Sequence, residues 1–139
     1  MMRLVLDTNV VISALLWNGS PARLLASDRP NEVDFFTSTQ LLAELSETLS
    51  RRKFLKKVSP TRRTVDQLVY RYSDLAAVVV PLPTPRLAPD PDDDVVIGTA
   101  LAAKADLLVT GDRDLLSVST FEGGRIVTVQ EALRYIQIA

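Results

Sequence analysis

The residues able to do chemistry in this chain are its acids, and they recur where apolar stretches end. Leu4-Val5-Leu6 runs without polar interruption into Asp7-Thr8-Asn9. Leu107-Leu108-Val109-Thr110 runs in the same way into Gly111-Asp112-Arg113-Asp114. A third group, Asp90-Pro91-Asp92-Asp93-Asp94, opens a stretch of small and apolar residues, and Glu44 stands inside an amphipathic segment. Each has an ordinary explanation. Asp7 or Thr8 caps a helix starting near Val10, the aspartates match a helix dipole, Gly111-Asp112 is a turn, and Glu44 is solvated. Taken together they crowd carboxylates, which repel unless a cation neutralises them or some take up protons. A hard divalent ion such as Mg2+ or Mn2+ satisfies such a set, and it can activate water against a phosphate ester.

What is missing sharpens this. The chain has no histidine and no cysteine. That excludes Ser-His and Cys-His catalysis, imidazole and thiolate metal sites, and disulfides. Catalysis is left to carboxylates, hydroxyls, amines or a bound metal. The length, 139 residues, predicts a single domain over 1–139 with a core that needs no staples. Met1-Met2-Arg3 leads directly into the first apolar stretch, without the apolar region of a signal peptide, and no apolar run is long enough for a membrane span. The expectation is a cytoplasmic protein.

The acids need a scaffold to bring them together. Leu4-Val5-Leu6 reads as a strand buried on both faces, as in a parallel sheet. A helix follows and stops near Asn18-Gly19, and Ser20-Pro21 starts another. Val33 to Thr37 reads as the second strand. Thr37 and Gln40 have capping-box spacing for the next helix, whose apolar arc is Leu41, Leu42, Leu45 and Leu49, with Glu44 on its flank. A basic stretch follows: Arg51, Arg52, Lys53, Lys56 and Lys57, then, past Ser59-Pro60, Arg62 and Arg63, with no acid between. A helix is expected from Thr61 to about Ser73, with Val65, Leu68, Val69 and Tyr72 inward. Ala76 to Val80 is then a third strand, expected inside the sheet. Asp28 to Asn31 and the proline-rich segment from Pro81 to Pro91 are loops.

The aspartate run next opens a buried helix reaching about Lys104, with Asp93 on the face of Val96, Ile97 and Ala100. Strands at 107–110 and 125–127 follow, and Thr128 with Glu131 forms a capping box for a last helix carrying Ala132, Leu133 and Ile136. Alternation of strand and helix predicts a three-layer α/β/α sandwich with a mainly parallel five-stranded sheet. Ligands in such sheets sit beyond the carboxyl ends of the strands, where Asp7 projects.

The order Leu-Asp-Thr-Asn, Leu-Ala-Glu-Leu, Asp-Pro-Asp-Asp-Asp and Val-Thr-Gly-Asp-Arg-Asp-Leu closely resembles the PIN-domain ribonucleases, over nearly the whole chain. It is most similar to the toxins of VapBC-type toxin–antitoxin pairs. The resemblance implies a PIN-like fold and metal-dependent hydrolysis of RNA phosphodiesters. It implies that Asp7, Glu44, Asp93 and Asp112 are the catalytic acids holding one or two Mg2+ or Mn2+ ions. Asp94 is an alternative ligand, one residue from Asp93. Thr8, Asn9, Thr110 and Asp114 fall at supporting polar positions. It also implies a cognate antitoxin, and self-association, for which Leu15, Leu16 and Trp17 offer apolar surface.

Arg51, Arg52, Lys53, Lys56, Lys57, Arg62 and Arg63 are candidates to guide an RNA backbone, or else a solvated helix end. Aromatic stacking platforms are sparse, so base-specific readout is not expected. Trp17 and Phe54 read as packing or interface residues. Two other functions remain open. An aspartyl-phosphate phosphatase also places an acid after its first strand, but it needs a second acid where Asn9 stands, and the one following lysine, Lys104, falls deep in the predicted helix. A non-catalytic RNA- or partner-binding module would show no metal-dependent activity.

Overall fold

The computed structural model describes residues 2–27, 33–84 and 91–138. The predicted loop at Asp28 to Asn31, most of the proline-rich segment, Asp90 and the side chain of Asp92 lie outside the described residues. The order is β1 (Met2–Leu6), α1 (Thr8–Leu16), α2 (Ser20–Leu25), β2 (Val33–Thr37), α3 (Thr39–Leu49) and α4 (Arg52–Val58). A 3-10 turn (Ser59–Thr61), α5 (Val65–Leu75), β3 (Ala76–Val78), α6 (Pro91–Ala102) and β4 (Leu107–Val109) follow. The chain finishes with α7 (Arg113–Val118), β5 (Thr120–Phe121), β6 (Gly124–Val127) and α8 (Val129–Ile138).

The strands form one sheet in the order β3-β2-β1-β4-β6-β5. Every pairing is parallel except the short β5–β6 hairpin at one edge. β1 is central, and Leu4, Val5 and Leu6 are all buried, which is why no polar residue interrupts them. Successive side chains of a strand point to opposite faces. Leu4 and Leu6 enter a core shared with α1, α2, α3, α5 and α8, while Val5 enters one shared with α6 and α7. The result is the predicted α/β/α sandwich. In β2 and β4 the same alternation sends Phe35, Leu107 and Val109 to the first core and Phe36 and Leu108 to the second.

Several details differ from the sequence expectation. The sheet has six strands rather than five, because Thr120–Phe121 folds back on β6 as an antiparallel edge. β3 lies at the opposite edge rather than inside, and it stops at Val78, with Ala77 and Val78 exposed. An apolar run cannot by itself tell a central strand from an edge strand. Ser38, not Thr37, caps α3, its Oγ accepting from Leu41 N at 3.3 Å. α1 starts at Thr8, two residues before the apolar periodicity begins.

The basic stretch contains a helix of its own, α4, and another helix, α7, begins within the Gly111-Asp112-Arg113-Asp114 segment taken as a turn. Both are too short to show a helical period. Lys104 lies beyond α6 rather than within it, exposed and with a left-handed backbone at φ 50°. α5 starts at Val65, four residues after the expected Thr61, and of its four expected inward residues Leu68 and Tyr72 are buried while Val65 and Val69 are half-buried; Thr128 and Glu131 make their reciprocal cap as expected.

Candidate active site

From β1 the chain moves outward through β2 to β3, then α6 carries it back to β4, on the other side of β1. The order therefore reverses between β1 and β4. At such a point the two flanking connections diverge and leave a crevice outside the carboxyl ends of the strands. Asp7 follows β1 directly and Asp112 lies three residues past β4, so an acid stands on each side of the crevice.

The two are joined through one side chain. Thr110 is buried, and its Oγ1 donates to Asp7 Oδ2 at 2.7 Å and accepts from the Asp112 backbone N–H at 3.0 Å. Backbone bonds hold the frame: Asp7 N–H donates to Val109 O at 2.9 Å, and Thr110 N–H to Val127 O at 2.9 Å. The two acids also cap the helices they precede. Asp7 Oδ1 accepts from Thr8 N–H at 2.9 Å at the start of α1, and Asp112 Oδ1 accepts from Asp114 N–H at 2.8 Å at the start of α7. Capping and site building are thus performed by the same residues.

Asp7 is 7% exposed. Burial pushes its carboxyl above the ordinary aspartate range, the bonds from Thr110 and Thr8 pull it back down, and the nearby negative charge of Asp112 pushes it up again. An anion kept in this environment gains from any cation placed against it. Thr8 Oγ1 is buried with no hydrogen-bond partner of its own. Such groups are uncommon, and this one sits beside the buried carboxylate. The donors here are hard oxygens, the set that suits Mg2+ or Mn2+. Asp7, Asp112 and the Thr8 hydroxyl therefore fit a divalent cation with its waters.

The other expected residues are placed by helices. Glu44 is exposed on α3, and Asp93 and Asp94 are half-buried in the first turn of α6. α3 and α6 are bonded together where α3 begins: Thr99 Oγ1, fully buried, bonds Ser38 Oγ at 3.1 Å. Leu41 shares the α6 core while Leu45 and Leu49 enter the other, so α3 starts against the helix layer on the far side of the sheet. Among the described residues, no three acids lie close enough together to hold a metal ion. The structure thus joins Asp7, Thr110 and Asp112 in one bonded unit and carries Glu44 on α3 and Asp93 on α6. Asn9 and Asp114 are exposed at the same end, Asp114 giving its backbone N–H to Asp112.

Ser38 and Thr99 were not singled out by sequence reasoning. Thr99 carried the clearer signal: it is a lone hydroxyl in the apolar run from Val95 to Ala102. The candidate RNA-guiding residues Arg51, Arg52, Lys53, Lys56, Lys57, Arg62 and Arg63 are all exposed. Arg51 lies 4.0 Å from Glu47, and Lys53 Nζ lies 5.2 Å from the ring centroid of Phe54. Phe54 packs against the first core, whereas Trp17 is 43% exposed.

Fold and site define an open α/β protein with a carboxylate pair at its switch point. The PIN domain family model matches residues 3–114, from the first strand through Asp112 to Asp114, and the chain belongs to that family. No curated protein matches the chain. PIN domains are generally nucleases, hence hydrolases, and generally use divalent metals. No helix among the described residues is long and apolar enough to cross a membrane.

Proposed function

We propose that this protein is a metal-dependent ribonuclease, a single domain over 1–139, that hydrolyses RNA phosphodiesters in the cytoplasm as the toxin of a VapBC-type toxin–antitoxin pair. The carrying observation is the Asp7–Thr110–Asp112 unit at the switch point, in a chain of a nuclease family. Asp7 and Asp112 would hold Mg2+ or Mn2+, with Glu44 and Asp93, or Asp94 as the alternative to Asp93, reaching it through bound water. When bound, the ion supplies Lewis-acid polarisation of the scissile phosphate and activation of water.

The protein's own residues prepare that site. Thr110 and the Thr8 amide orient the Asp7 carboxylate and favour its ionised form, which burial disfavours. The Thr8 hydroxyl is available to a water or a phosphate oxygen, and Asn9 and Asp114 shape the rim. The exposed basic residues from Arg51 to Arg63 draw the RNA backbone toward the crevice, an attraction that weakens as salt rises. A cognate antitoxin and a second copy of the chain are the expected partners.

The test is incubation with a mixed RNA pool in Mg2+, Mn2+ or EDTA, alongside Asp7→Asn. Cleavage should need the metal and fall by at least about 100-fold in the variant, as expected when a metal ligand is lost. Cleavage persisting in EDTA or in Asp7→Asn would overturn the reading. Hydrolysis of small phosphate esters without RNA cleavage would favour a phosphatase. Against that rival, Lys104 follows the C-terminal end of α6 and precedes β4, at the opposite end of the sheet from Asp7.

A further inference from the structure

A second concave surface lies apart from the carboxylates. A cavity of about 760 Å3 opens between the 3-10 turn and α5, lined chiefly by Arg62, Arg63, Asp66, Gln67, Tyr70 and Arg71. Asp66, Gln67, Tyr70 and Arg71 recur at spacings of three and four, so they share one face of the helix. Three guanidinium groups meet a single carboxylate there, and no ion pair among the described residues engages Arg62, Arg63 or Arg71. Tyr70 is 70% exposed, while Tyr72 on the same helix is buried. The cavity thus combines an open aromatic face with three arginines that no described residue pairs.

The turn that presents the arginines is fixed by its own bonds. Thr61 Oγ1 donates to Val58 O at 2.5 Å and accepts from Arg63 N–H at 3.2 Å, and Arg62 N–H donates to Ser59 O at 3.1 Å. Thr64 and Gln67 then close a reciprocal cap on α5. Arg62 itself is held at φ 60°, a left-handed conformation that a residue with a long side chain seldom adopts. α5 ends at Leu75 and β3 starts at Ala76, parallel to the strands before it. Thr61 and Arg63 also line a hollow with Ala14 and Leu15, in the last turn of α1, and with Ala22 and Ala26, so the groove borders the end of α1 away from Asp7.

We infer that this groove is a subsite for single-stranded RNA, in which Tyr70 stacks on an unpaired base and Arg62, Arg63 and Arg71 hold the flanking phosphates. The inference rests on the ribonuclease reading and adds to it the residues that seat the strand. A base inside a duplex has both faces covered by its neighbours, so the strand must be unpaired where it crosses Tyr70. Stacking accepts any base, so the subsite discriminates by strandedness rather than sequence.

The experiment measures fluorescence anisotropy of a short fluorescein-labelled RNA of mixed sequence, single-stranded or annealed to its complement, in EDTA so that nothing is cut. Wild type should prefer the single strand. Tyr70→Leu should weaken that binding about 5- to 150-fold, the range for loss of one base stack, and Tyr70→Phe should restore it. Arg62→Gln, Arg63→Gln and Arg71→Gln should each lower the slope of log affinity against log salt by roughly 0.7, as for one phosphate contact on a single strand. Arg134→Gln, an exposed change elsewhere, controls for net charge. Tyr70 and the arginines are exposed, so these variants should fold.

Metal-dependent cleavage by wild type, measured in parallel, separates the two levels of the argument. Wild-type cleavage with unchanged affinity in Tyr70→Leu would overturn the subsite alone and leave the groove to a protein partner. Equal affinity of wild type for duplex and single strand would also overturn it. Neither binding nor cleavage of RNA by wild type would overturn the ribonuclease reading and the subsite with it.

Discussion

Thr110→Val tests the bonded unit directly. Valine matches the shape of threonine but removes the hydroxyl that donates to Asp7 and accepts from the Asp112 amide. The first bond goes to a carboxylate and is worth about 1.5–3 kcal/mol, and the second is an ordinary bond of about 0.5–1.5 kcal/mol. The apolar valine recovers part of that at a fully buried position, on the order of 1 kcal/mol per carbon group. The net expected loss is about 1–3.5 kcal/mol. For a chain of this length that lowers the melting temperature by roughly 3–17 °C.

The loss should depend on pH. Thr110 stabilises the ionised form of Asp7, so the penalty is largest where Asp7 is an anion and shrinks as acid protonates it. Urea unfolding of wild type, Thr110→Val, Asp7→Asn and the double variant closes a cycle, with an expected coupling above about 1 kcal/mol. A loss within about 0.5 kcal/mol of zero, or one unchanged by Asp7→Asn, would show that Thr110 does not act through Asp7.

Asp7→Asn should lose activity yet gain stability at neutral pH. The folded pKa of Asp7 is raised above 3.8, mainly by burial. Its contribution to stability is therefore fully present below that value and is lost as pH rises through the higher folded one. Asparagine is exempt from that loss and keeps the Thr8 N–H contact through its oxygen, while the Thr110 hydroxyl loses its carboxylate acceptor. Urea midpoints compared across pH should separate above 3.8 in favour of the variant. A variant less stable than wild type at neutral pH would contradict the assigned cost of burial.

Gly98→Ala sets two effects against each other. Alanine is the better helix former by about 1 kcal/mol, but its Cβ would stand 2.5 Å from the Leu82 carbonyl oxygen, and the strain of such overpacking is typically about 1–3 kcal/mol. Net destabilisation by urea unfolding is expected, with weaker cleavage because α6 carries Asp93. A stabilised variant would mean that the segment after β3 yields freely.

Much of this architecture could be read from local pattern. The unbroken Leu4-Val5-Leu6 marks a strand covered on both faces, and the capping box of Thr128 with Glu131 appears because it depends on neighbours in sequence. The edge position of β3 could not be read, since Ala76 to Val80 looks the same beside one strand or two. The β5–β6 hairpin escaped because two residues are too few for any period. Ser38 took the α3 cap from Thr37 because Thr37 is the last residue of β2, where its carbonyl accepts from Val79 N–H at 2.8 Å.

By itself, the sequence determined the chemistry available to this protein. Without histidine or cysteine, its chemistry was left to carboxylates, hydroxyls, amines or a bound metal, and acids stand at the ends of two buried strands. Tertiary structure decided which of them meet. The reversal of strand order puts β4 beside β1, and one buried hydroxyl then reaches across the crevice to join Asp7 to Asp112, residues 105 apart in the chain. Local periodicity encodes elements, but a contact between distant strand ends depends on how those elements are ordered in the sheet.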